Sequence, residues 1–275
     1  MSVHNFVSAV RAGAAGAAGA SSGFYSYQIE QSVRGDGTSG NDYTLKRTGV
    51  GTPTNNDKGT LSAWVRRSEI STGGDFNAWF YGGTGNTQFD MINFDGEDNI
   101  RVQGQRGGTS YGHESVGVYR DNSAFYHIVV VFDSAQGAAA DRVKVYVNGS
   151  QIDMSNTPGG MSSYPQNEDF KFNTSGTTQY VLGTEPYYGV YNFNGLMAEA
   201  IFADGQAYAP TQFGETKNGV WIPRDPSDTT FGNNGFHLKF GNASSLGTDS
   251  SGNGNNFTTG MGADHQVLDS PTFGS

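Results

Sequence analysis

Between Ala124 and Asp133 the chain reads AFYHIVVVFD, a nearly continuous apolar run without helical period. Such a run suits a strand covered on both faces. Further on, Val143, Val145 and Val147 alternate with Arg142, Lys144 and Tyr146, the two-residue period of a strand with one buried side. Asn148-Gly149 then supplies the two left-handed positions of a type I′ turn, and the spacing predicts a hairpin returning into Ser150 to Met154. A chain that forms this hairpin is committed to β-structure.

The rest of the sequence agrees. Gly59 to Arg66 alternates Leu61, Ala63 and Val65 against Thr60, Ser62 and Trp64, giving a strand with two distinct faces. Ala78 to Tyr81, Phe89 to Phe94 and Asn99 to Gln105 read as further strands, the last two joined through Asp95-Gly96 and Asp98-Asn99, most simply as a meander. Tyr180 to Gly183 and Phe193 to Ala203 add two more, and roughly a dozen strands suit a two-sheet antiparallel sandwich better than a small barrel. Glycine, at 41 of 275 residues, has no three-residue period and punctuates these runs, while 13% aromatic residues can build a core. Helix is confined to a single turn at Pro210 to Gly214. Trp221-Ile222-Pro223 and Phe236 to Phe240 read as extended segments returning to the sheets.

Charge, cysteine content and hydropathy each exclude something. The formal net charge of −10 opposes binding to a phosphate backbone. With no cysteine there are no disulfides, thiolate metal sites or cysteine nucleophiles. No stretch approaches the roughly 18 apolar residues of a membrane span. Met1 to Ser22 lacks the basic start and strongly apolar centre of a secretory signal and reads as mature sequence. Within residues 1–23, RAGAAGAAGASSG is a small-residue arm, either disordered or ordering against another subunit. Residues 24–240 are expected to form the sandwich, and 241–275, rich in Gly, Asn and Ser, to pack on the same domain.

The run Phe125 to Asp133 followed by Arg142 to Gln151, then Tyr180-Val181-Leu182-Gly183 and Phe193 to Glu199, resembles the ordered landmarks of laminin-G-like, concanavalin A-like jelly rolls. A narrower likeness joins Tyr27 to Ser32, Ala203 to Ala207, Phe213 to Thr216, Gly219 to Pro223, Leu246 to Asn255 and Asp264 to Pro271. These are similar to laminin-G-like structural proteins of tailed bacteriophages, marine ones in particular. That resemblance implies a virion protein of the particle exterior, made in the bacterial host cytoplasm, aiding attachment to a host-surface glycan or particle stability. Its expected partners are other virion proteins and further copies of itself, as a trimer. Relatives often continue beyond the Asp-Ser-Pro segment, so the chain's end at Ser275 widens the expected place from a tail fibre to a short appendage or capsid-surface decoration. A free carbohydrate-binding module and a glycoside hydrolase remain open as alternatives.

Candidate chemistry is sparse. The clustered Glu-x-Asp-x-Glu pattern of jelly-roll hydrolases is absent, and Glu199, Asp95, Glu97 and Asp98 read as structural or solvated, so no catalytic residue is assigned and no enzyme expected. His127 reads as a hydrogen-bonded framework residue, and His4, His113, His237 and His265 are scattered singly. No metal ligands or cofactor are assigned, although Asp75, Asp90, Asp95 and Asp98 are hard ligands that leave a calcium ion open. Glycan contact is expected at Tyr187, Tyr188, Tyr191 and Asn192, where aromatic faces and an amide gather between two strands. The same rings could instead cover the sandwich end or a subunit interface. Trp79, Tyr81 and Tyr111 are weaker candidates.

Overall fold

The structure, a computed structural model, describes residues 23–37, 43–70, 76–155, 158–184 and 192–272. Tyr187, Tyr188, Tyr191, Asp75 and the arm up to Ser22 lie outside the described residues. The first strands in chain order are β1 (Ser32–Asp36), β2 (Leu45–Thr48), β3 (Lys58–Arg67), β4 (Asn77–Gly83), β5 (Gln88–Phe94), β6 (Asn99–Arg106), β7 (Thr109–Val118) and β8 (Tyr126–Asp133). There follow β9 (Val143–Val147), β10 (Ser150–Gln151), β11 (Met154–Ser155), β12 (Thr178–Val181) and β13 (Asn194–Asp204). The last are β14 (Gly214–Lys217), β15 (Val220–Pro223), β16 (Phe236–Leu238) and β17 (Gln266–Val267). One sheet runs β10-β9-β8-β3-β13-β1-β17, with β16 also paired to β13, and the other runs β11-β7-β6-β5-β4-β12-β2. All pairings within them are antiparallel, so the expected jelly-roll sandwich is the observed class.

The pattern of β8 explains its place at the centre. Ile128, Val130 and Phe132 enter the layer between the sheets, while Val129 and Val131 point outward beside Ile201 and pack with Phe213. Each such buried side chain contributes about 1.5–3 kcal/mol, in a chain that has no cysteine for a disulfide. On β3, Leu61, Ala63 and Val65 also enter the core, which leaves Trp64 on the outer face against Ile29 and Ala198. The meander from β4 to β6 forms as the turn residues predict, with Asp98 at φ 71°.

The hairpin forms with Asn148 at φ 48° and Gly149 at φ 81°. Its returning strand is shorter than predicted. β10 stops at Gln151, and Met154–Ser155 pairs with β7 in the opposite sheet. Ser150 and Gln151 are exposed, whereas Ile152 and Met154 pack against the core, so burial draws the chain across the sandwich edge. β7 (TSYGHESVGV) was not predicted, because its two glycines and its polar residues interrupt any apolar alternation. Its pairing along β6 makes it a strand.

On β13 the register shifts between Ala198 and Ile201, and Glu199 takes φ 55°. This is a β-bulge, which re-aims a side chain where regular alternation would fix it. Near the C-terminus, Leu246, Phe257 and Met261 join the core, and β17 pairs with β1.

Candidate functional site

The outer face of β3 carries Trp64 and Arg66. Trp64 faces His127, its partner on β8, with ring centroids 4.5 Å apart at 16°. Trp221 lies nearly parallel to the same imidazole at 5.9 Å and 22°, and its Nε1–H donates to His127 Nδ1 at 2.9 Å. An indole nitrogen can only donate, so Nδ1 carries no proton. The proton is therefore on Nε2, which donates to Ser62 Oγ at 2.9 Å. Burial lowers the His127 pKa from 6.5 to about 3, which holds the ring neutral and fits the framework role expected of it.

Trp221 comes from the β14–β15 ribbon, closed by Asn218 at φ 52° and Gly219 at φ 81°. This is a second Asn-Gly hairpin, and its local signal is present in the sequence. The indole rests on two glycines, and a Cβ at either Gly149 or Gly214 would run into it. The predicted β9–β10 turn is thus also the seat of Trp221.

Phe125 and Tyr25 continue the aromatic wall, and the Arg66 guanidinium lies 5.3 Å from the Phe125 ring centroid. Arg66 Nη2 meets Asp269 Oδ2 at 2.7 Å. Asp269 is held from behind, since its carbonyl accepts from Ser32 Oγ at 2.5 Å. Ser270 Oγ donates to the Ile29 carbonyl, and Thr272 Oγ1 both donates to that carbonyl at 2.8 Å and accepts from Ile29 N at 2.9 Å. Tyr25, Trp64, Arg66, Phe125, Trp221 and Asp269 are among the residues that line an open groove of about 330 Å³ on the outer face of the β3 sheet. Asp269 is its only carboxylate among the described residues.

Beside the groove, the bulged Glu199 carboxylate accepts from Tyr27 Oη and lies 3.0 Å from His237 Nε2. Burial and this carboxylate push the Tyr27 phenol far above its ordinary range. The three side chains bind the segment around Tyr27 to the sheet.

Of the residues predicted to contact glycan, Asn192 is described. It is buried, bridges to Ala78 and stands outside the groove. Trp79 lies in the core, and Tyr81 is fully buried on the other sheet. Asp90, Asp95 and Asp98 carry arginine partners: Arg106 at 2.9 Å, Arg101 at 2.8 Å, and both Arg67 and Arg120 at 2.7 Å, respectively. Among the described residues no three His, Asp or Glu side chains gather as a metal site. Trp221, Phe125 and Asp269 were missed because they are distant in sequence and meet only in the fold.

A family model described as the concanavalin A-like lectin/glucanases superfamily matches residues 37–205. No curated protein matches the chain. Among solved structures, the chain is similar to a heptameric SAP-like pentraxin from Limulus polyphemus (13% identity, 68% of this chain and 82% of that one, TM-score 0.47). It is similar to domains LG4-5 of the mouse laminin alpha1 chain (9%, 66% and 46%, 0.43). It is also similar to the CBM40 of a Ruminococcus gnavus IT-sialidase (11%, 67% and 96%, 0.42). Tyr25, Trp221 and Asp269 lie outside the matched residues, whereas Trp64, Arg66 and Phe125 lie within them.

Proposed function

Since the chain belongs to the concanavalin A-like lectin/glucanases superfamily, we propose that it is a non-hydrolytic glycan-binding protein displayed on the exterior of a bacteriophage particle. The observation that carries the binding half is the groove walled by the half-buried Phe125 and Trp221, with the buried Trp64 in its lining. Aromatic faces stack on the apolar face of a pyranose, and neighbouring polar groups fix its orientation. Glycoside hydrolysis ordinarily needs two carboxylates about 5–10 Å apart across the scissile bond. The groove offers Asp269 alone among the described residues, already held by Arg66.

The virion half rests on the phage-like segments Tyr27 to Ser32, Gly219 to Pro223 and Asp264 to Pro271. The first anchors Asp269, the second supplies Trp221 and the third supplies Asp269 itself. An exterior component present in several copies, such as the expected trimer, would turn weak single sites into avid attachment to a cell surface. The small-residue arm within residues 1–23 would dock it to other virion proteins.

Two measurements test this. Glycan titration followed by tryptophan fluorescence should saturate for the wild type, with Trp221→Ala binding at least tenfold more weakly. No saturable glycan binding by the wild type would overturn the adhesive role. Deleting Met1 to Ser22 should leave the sandwich folded and abolish incorporation into particles, and normal incorporation would remove the arm from the account.

A further inference from the structure

We infer that the groove selects a neutral pyranose, with a pair of adjacent sugar hydroxyls bridging Arg66 and Asp269. This deepens the glycan-binding reading above and depends on it. Arg66 and Asp269 are the charged side chains lining the groove among the described residues, and at 2.7 Å they neutralise one another. A sugar carboxylate or sulfate would compete with Asp269 for the charge of the guanidinium, and it would meet the Asp269 charge and a chain of net charge −10.

A neutral diol faces no such competition. The pair occupies Nη2 and Oδ2, while Arg66 Nε and Nη1 and Asp269 Oδ1 have no hydrogen-bond partner among the described residues. A guanidinium only donates and a carboxylate only accepts, whereas every hydroxyl does both. Adjacent hydroxyls can therefore take one bond from Arg66 and give one to Asp269. The pair is also preorganised: Arg66 lies over Phe125, and the Asp269 backbone is tied to Ser32. A volume of about 330 Å³ is at the lower end of the range of small-molecule sites, which suits one or two sugar rings.

The test is an array of neutral hexosides beside sialylated and uronic-acid glycans, probed with the full chain, followed by calorimetry on the best binder of each class. The expected result is binding to neutral hexosides, weakened at least tenfold in both Asp269→Asn and Arg66→Met, with urea midpoints showing that both variants fold. Preferential binding of anionic glycans, strengthened by Asp269→Asn, would overturn the selectivity while leaving glycan binding intact. Neutral binding that both folded variants retain would also overturn it. Absence of binding to either class would remove the glycan reading itself.

Discussion

His127 makes the stability of this fold depend on pH in a way that can be isolated. The imidazole is fully buried, accepts from Trp221 and donates to Ser62, so its neutral form is the one the structure holds. Its pKa falls from 6.5 to about 3 on folding because burial disfavours the charged ring. The sign follows from linkage: the unfolded chain binds the proton more readily, so the stability is fully present above pH 6.5 and is lost as pH falls from there towards 3. At about pH 4.5 the loss is about 3 kcal/mol, from about 1.4 kcal/mol for each pH unit below the unfolded value. Carboxylates also begin to titrate there, so the measurement has to be a difference. Urea unfolding of wild type and His127→Gln at about pH 7.5 and about pH 4.5 provides it, since glutamine keeps a donor and an acceptor but does not titrate. At neutral pH the variant should be less stable through lost ring packing, and at pH 4.5 that gap should close or reverse by about 3 kcal/mol. A gap of equal size at both pH values would show that the imidazole is not held neutral and would refute the tautomer argument.

Gly149→Ala should cost about 1–2 kcal/mol from the left-handed backbone alone, and its Cβ should also push the Trp221 indole off its seat. Urea unfolding should show the loss, and a shifted Trp221 emission should accompany weaker glycan binding. Unchanged emission would mean that the ribbon does not rest on the hairpin. Asp98→Asn removes the counter-charge from Arg67, whose side chain is 1% exposed. Burying that cation without its counter-charge should cost about 3–5 kcal/mol, and a loss below about 1 kcal/mol would show that its other contacts, Tyr119 O and the Phe94 ring among them, suffice to hold it.

What was legible in the sequence was local. The β8 run and the Asn148-Gly149 turn specify a strand and a hairpin from neighbouring residues alone, and alternation on β3 separated Val65 from Trp64 correctly. Two errors have physical reasons. β7 escaped because sheet pairing, which no single strand reveals, holds a glycine-containing polar segment in place. β10 is shorter than the local pattern predicts because the demand of Ile152 and Met154 for burial is met in the other direction. The groove was not legible, because Tyr25, Trp64, Phe125, Trp221 and Asp269 share no local pattern. The one available clue, Asn218-Gly219 ahead of Val220-Trp221-Ile222, predicts the ribbon but not what the ribbon covers.

The polar contacts behind the groove explain why these distant segments arrive in one register. Apolar burial is nondirectional, so packing Ile29, Phe213 and Trp221 on the outer face would by itself tolerate sliding of the covering chain. The bulge at Glu199, the Trp221–His127–Ser62 chain and the Ser270 and Thr272 contacts to Ile29 each allow one alignment, because a shift would leave buried donors or acceptors unpaired. Such groups add little net stability when satisfied and cost much when not. Their effect is therefore to specify where Trp221 and Asp269 stand, while the layer between the sheets supplies the folding energy.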